Sequence, residues 1–281
     1  MKSLPDYLKI RADELGRGTS VKVTTVKDRA GIGQAMATDL LGEVLRARAE
    51  GRHATLIVPV GPIEGFALFA EILARVKISI HDVMLINMDE YLTGDGDWLP
   101  LDHPLSFRAF MERSFYSLLD PVVAPRPENR VFPDPKNPAA IQNLIDARGG
   151  VDACFGGIGI NGHMAFNEPP EPGEQMSDDD FARLPTRVLA LSRETRTINS
   201  VTVGGEITMI PKSAVTVGMK EILGARRLRL YCNRVWQSAV VRRALHGPVT
   251  AACPASFIRT HPDAHLTMTD YVAQPPRIEL R

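Results

Sequence analysis

Long apolar runs, an excess of charge of either sign and paired cysteines are all missing from this 281-residue sequence. No stretch of about 18 apolar residues is present to span a membrane. Lys and Arg number 33 and so do Asp and Glu, so the basic excess that nucleic-acid binding normally needs is absent. Cys154, Cys232 and Cys253 are an odd number, spaced neither as zinc ligands nor as a CxxC redox pair. A reducing, cytosolic compartment fits that usage. Asp6, Lys9, Arg11 and Asp13 stand where a secretory leader would carry its apolar core. The expected partner is a small molecule, with no nucleic acid and no membrane.

What is present is an ordinary globular composition, 44% hydrophobic and 23% charged, which excludes disorder, collagen and coiled coil. Ala30 to Glu50 carries Ile32, Met36, Leu40, Leu41, Val44 and Leu45 at helical spacing and stops at Gly51. Ala54 to Val58 is a short β-branched apolar run, followed after a Pro-Gly turn by Phe66, Phe69, Ile72 and Leu73 at helical spacing. Val83 to Met88 reads as a second apolar strand and Phe107 to Leu119 as a helix. Val151 to Phe155 and Leu228 to Cys232 add strands, the latter leading into a helix over Val235 to His246. Continuous apolar strands alternating with helices predict an α/β fold, a Rossmann-like, mostly parallel sheet with helices on both faces. Pro121 to Pro138 and the acidic Pro169 to Pro185 read as loops. No repeat or boundary divides the chain, so one domain is expected over 1–281, with 1–20 as a loosely ordered extension. The basic groups Arg226-Arg227-Arg229 and Arg242-Arg243 read as solvated faces.

Ligands of open parallel sheets bind outside the carboxyl ends of the strands. Two such ends carry chemistry. Asn87-Met88-Asp89-Glu90-Tyr91 ends a strand on two carboxylates, readable as a general base at the sheet's edge or as a solvated acidic turn, because burying an unpaired charge is costly. Gly156 to Pro169 reads GGIGINGHMAFNEP. Its glycines allow close approach of backbone N–H groups to a ligand, and His163 with Glu168 could form an acid/base pair working near neutral pH.

These two motifs, in this order, resemble the glucosamine-6-phosphate deaminase (isomerase) family, which is related to 6-phosphogluconolactonases. His103-Pro104-Leu105-Ser106, Thr195-Arg196-Thr197-Ile198-Asn199-Ser200 and Ile210 to Gly218 extend the likeness over nearly the whole chain. The resemblance implies aldose–ketose isomerisation of an amino sugar with loss of ammonia, without metal or organic cofactor. Asp89 would move a proton from C2 to C1, and His163, oriented by Glu168, would assist ring opening. Glu90, Gly157, Gly159 and Gly162 would line the substrate site.

Two departures accompany it. Asn161 stands where the family usually has aspartate; it can hydrogen-bond to His163 but brings no charge. Where the family holds phosphate on a hydroxyl-bearing loop, this chain reads Pro59-Val60-Gly61-Pro62-Ile63-Glu64-Gly65, without a hydroxyl and with a proline that has no N–H. Glu64 at about 5 Å from a phosphate would repel it by about 3 kcal/mol per unit charge at an effective dielectric of about 20. Gly61 and Glu64 therefore set the substrate's far end, with Arg196 and Arg234 as the cations left to hold an anion there. A non-phosphorylated or differently substituted sugar, a sugar lactone and a non-catalytic sugar-binding regulator are the alternatives. Oligomeric state stays open, a homo-oligomer included. Trp98 is readable either as a sugar-stacking ring or as a surface loop residue.

Overall fold

The computed structural model describes residues 4–60, 64–277 and 279. Seven parallel strands form the main sheet, in the order β1 (Lys22–Val26), β10 (Ala264–Thr269), β9 (Leu228–Cys232), β6 (Ala153–Gly156), β2 (Thr55–Val58), β3 (Met84–Asn87) and β5 (Arg130–Val131). All four residues of β2, of β3 and of β6 are buried, as expected where helices cover both faces. The period of two along a strand sorts their side chains into two cores. Leu56, Val58, Leu85, Ala153, Phe155 and Tyr231 share a core with α1 (Arg29–Ala49) and α2 (Glu64–Val76), closed by Met111 of α3 (Phe107–Ser114). Ile57, Ile86, Cys154, Leu228 and Leu230 share the other with α4 (Ala140–Ala147), α5 (Asp178–Ala182), α7 (Met219–Leu223), α8 (Gln237–His246) and α9 (Asp270–Ala273).

Local sequence explains the best-read element. Asp28 caps α1 by accepting from Gly31 N at 3.0 Å. Ile32, Met36, Leu40 and Val44 form its buried stripe, Arg46 and Arg48 lie in its last turn, and Gly51 follows with φ +68°.

A smaller antiparallel sheet sits beyond the strand ends, in the order β4 (Asp89–Tyr91), β8 (Ser213–Thr216) and β7 (Arg187–Ala190). The chain passes from β3 directly into β4: Met88 N donates to Val58 O of the main sheet at 2.9 Å, and Val217 N donates to Met88 O at 2.7 Å. The acidic pair is therefore not a solvated turn, because β8 covers it and both side chains are buried.

Other expectations are corrected. The helix from Phe107 stops at Ser114, where Phe115 takes φ −142° and sets its ring 4.8 Å from that of Phe66; Leu118 is left exposed. The Pro121–Pro138 loop carries the short edge strand β5, and Pro169–Pro185 carries α5. β1, β7, β8, β10 and α6 (Arg193–Asn199) had no apolar run to announce them. Arg242 is not a solvated residue but is fully buried. Its guanidinium donates to the carbonyls of Ile10 and Ser238 at 2.8 and 3.0 Å, and to that of Ala273. Ile10 is thereby tied to α8, and Leu15 joins the core. Arg226, Arg227 and Arg229 are each paired, with Asp152, Glu43 and Asp263. Among the described residues no helix is long and apolar enough to cross a membrane.

Candidate active site

A cleft of about 640 Å³ opens outside the carboxyl ends of β2, β3, β6 and β9. Met88, Asp89 and Tyr91 reach it from β3 and β4, and Gly157, Gly159, His163 and Phe166 from the segment after β6. Asn233, Arg234 and Gln237 come from the loop after β9, and Glu64 and Arg29 from the first residues of α2 and α1.

The segment after β6 needs glycine for steric reasons. The His163 ring lies over Gly159 so closely that a Cβ there would stand 2.0 Å from Nε2. Gly162 has φ +97° and its Cα is pressed against Cys253, where a Cβ would stand 2.8 Å from Sγ. It shapes the loop from behind and is not among the residues lining the cleft. Ala165 takes φ +51°, an unfavourable conformation for a residue with a Cβ and one that collects at functional sites.

Around His163 the polar groups close into a network. Nδ1 of His163 is 2.9 Å from Oδ1 of Asn161 and 3.3 Å from Oε2 of Glu168. An amide oxygen only accepts, so in the neutral ring Nδ1 carries the proton and Nε2 the free lone pair. Nδ2 of Asn161 donates to Glu168 Oε2 at 2.6 Å. Thr195 Oγ1 donates to the same carboxylate oxygen at 3.1 Å and lies 3.2 Å from Nδ1, while Ser192 N donates to Oε1 at 3.3 Å. Burial alone would raise the Glu168 carboxyl, but the hydrogen bond and charge of His163, helped by Asn161 and Thr195, outweigh it and hold it at about 2.

Asp89 is the opposite case. Its side chain is buried, has no hydrogen-bond partner among the described residues, and is pushed up to about 8 by burial first and by the charge of Glu90 second. Glu90 points to the other side of its strand and does not line the cleft. Its carboxylate accepts from Phe107 N and Arg108 N at 2.9 Å each and from Ser106 Oγ at 3.1 Å, capping the start of α3. The expected substrate contact is thus a helix cap that also raises its neighbour's pKa.

The remaining sequence candidates divide. Arg234 lines the cleft and is exposed. Arg196 is not among the lining residues, and its Nη2 donates to Ile207 O at 3.3 Å. Gly61 lies outside the described residues. Glu64 is turned into the cleft, where Oε1 accepts from Arg29 Nε and Asn233 Nδ2 at 2.8 Å each. Trp98 is a structural residue, donating to Pro133 O at 2.9 Å beneath the Arg108 guanidinium. Sequence reasoning missed Arg29 and Asn233, which carry no motif, and Thr195, whose segment was singled out for the arginine beside it. No cluster of three or more His, Cys, Asp or Glu among the described residues is arranged to hold a metal ion.

No protein-family model matches the chain. The chain is 30% identical over 241 residues to the glucosamine-6-phosphate deaminase of Proteus mirabilis, covering 84% of this chain and 82% of that protein. It is 28% identical over 262 residues to the enzyme of the same name from Beutenbergia cavernae, covering 92% and 94%. A solved monomeric glucosamine-6-phosphate deaminase superposes with a TM-score of 0.76 at 24% identity, covering 90% of this chain and 99% of that one. The 6-phosphogluconolactonase from Trypanosoma cruzi superposes with a TM-score of 0.66 at 15% identity, covering 90% and 96%. The two superpositions establish a common fold.

Proposed function

The chain belongs to the glucosamine-6-phosphate deaminase family, and we propose that its cleft converts a 2-amino aldose into the corresponding ketose with release of ammonia. The observation that carries this reading is that Asp89 and His163 face one cleft, the first a carboxyl without a hydrogen-bond partner among the described residues and the second held by Asn161 and Glu168.

Ring opening requires a proton to leave O1 and another to reach the ring oxygen. His163 Nε2 takes and returns it, and Glu168, ionised throughout the physiological range, stabilises the imidazolium between the two transfers. Asp89 then removes the proton at C2 of the open-chain sugar. The C2–H electrons form an enolamine as O1 is protonated. Asp89 returns the proton to C1, and the resulting C2 iminium adds water and expels ammonia. A base at about 8 suits this double duty, because it gives its proton back as readily as it takes it near neutral pH. Asp89, His163 and water carry the protons of these steps, so the reading calls for no metal or organic cofactor. We further assign the enzyme to the cytosol, where its three buried free thiols would stay reduced, acting as one domain on a small sugar.

The test is ammonia and ketose formation from a panel of 2-amino sugars, with Asp89→Asn as control. The reading expects turnover by the wild type and a loss of about a hundredfold or more in the variant. Hydrolysis of a sugar lactone without ammonia, or sugar binding without turnover, would overturn it.

A further inference from the structure

Resting on that reading of the cleft, we infer that the end of the substrate remote from C1 and C2 is an uncharged hydroxyl end and not a phosphate. The part of the cleft built by the starts of α1 and α2 and the end of β9 already contains an anion. Glu64, the first described residue of α2, has a side chain only 16% exposed, and two donors, Arg29 and Asn233, hold its Oε1. It lies in the first described turn of α2, where the partial positive charge of a helix start would otherwise favour a bound anion.

Arg29 is thereby matched by Glu64. Arg234 is the one lining arginine without a carboxylate partner among the described residues, and it is open to solvent. A phosphate dianion beside Glu64 would set three negative charges against these two guanidiniums. A hydroxyl brings no charge. The other described residues that line this end, among them Pro59, Val60, Leu105, Phe110 and Trp236, add no charge.

The test is calorimetric binding of two open-chain analogues, 2-amino-2-deoxyglucitol and its 6-phosphate, to the wild type, Glu64→Gln and Arg29→Gln. Alongside it, kcat/KM is measured for glucosamine and glucosamine 6-phosphate. The wild type is expected to favour the free analogue by about tenfold or more. Glu64→Gln narrows that ratio, and Arg29→Gln, which leaves Glu64 unneutralised, widens it. Tighter binding of the phosphate by the wild type, or binding of neither analogue, overturns the inference. Turnover of the 6-phosphate alone leaves the deaminase reading standing and removes this one. Ammonia from neither sugar, with the free analogue still bound more tightly, does the reverse.

Discussion

Asn161 Oδ1 lies 2.9 Å from His163 Nδ1, and this contact decides which ring nitrogen is left to exchange protons. The same amide donates to Glu168 at 2.6 Å, so one uncharged residue holds both partners in register. Asn161→Ala removes both contacts and should lower kcat by about 10- to 100-fold with KM little changed. Asn161→Asp keeps an acceptor at Nδ1 and should retain more activity than alanine. Steady-state kinetics on the two variants checks the order, and wild-type kcat in Asn161→Ala would remove Asn161 from the mechanism.

The pH profile should report Asp89. Only the ionised carboxylate can take a proton, and its pKa is raised to about 8. Activity of the free enzyme is therefore small below neutrality, rises through about pH 8 and levels above it. Part of the rise in pKa comes from the charge of Glu90, so Glu90→Gln should move the limb of kcat/KM to lower pH. A profile flat from about pH 6 to 9 contradicts this.

Stability should carry the same signature with its own sign. Asp89 titrates near 8 when folded and near 4 when unfolded, so between those values the native state binds the extra proton and stability falls as pH rises. Asp89→Asn abolishes that loss. The variant should melt higher than the wild type, by a gap that opens from pH 4 upward and reaches on the order of a few kcal/mol at pH 8. A gap independent of pH, in thermal melts across that range, would show that the carboxyl is not strained by burial.

Arg242 makes a prediction away from the cleft. It joins the carbonyls of Ile10 and Ala273 to α8, so Arg242→Met leaves buried acceptors unpaired. We expect a loss of about 2 kcal/mol in urea unfolding with kcat and KM unchanged. No loss of stability would mean that the segment around Ile10 is held by its other contacts.

These residues also mark what was legible beforehand. β2, β3 and β6 were readable because strands buried on both faces must be apolar throughout. β1 and β7 were not, since their partly exposed, polar-containing sequences look like loop. The Gly159–His163 segment announced itself because its geometry tolerates nothing larger. Glu90 misled because adjacency in sequence suggested a shared role, whereas neighbours on a strand face opposite sides. Arg196 and Arg242 misled for a related reason: a motif or a charge gives a residue's chemistry but not its direction, which only the packing of α6 and α8 fixes.

Proton transfer from C2 by Asp89 is the step on which everything else depends, and an amino sugar deuterated at C2 examines it directly. The account expects a primary isotope effect on kcat/KM, deuterium recovered partly at C1 of the ketose, and loss of ammonia release in Asp89→Asn. Ammonia release with no isotope effect and no label at C1, undiminished in Asp89→Asn, would contradict it.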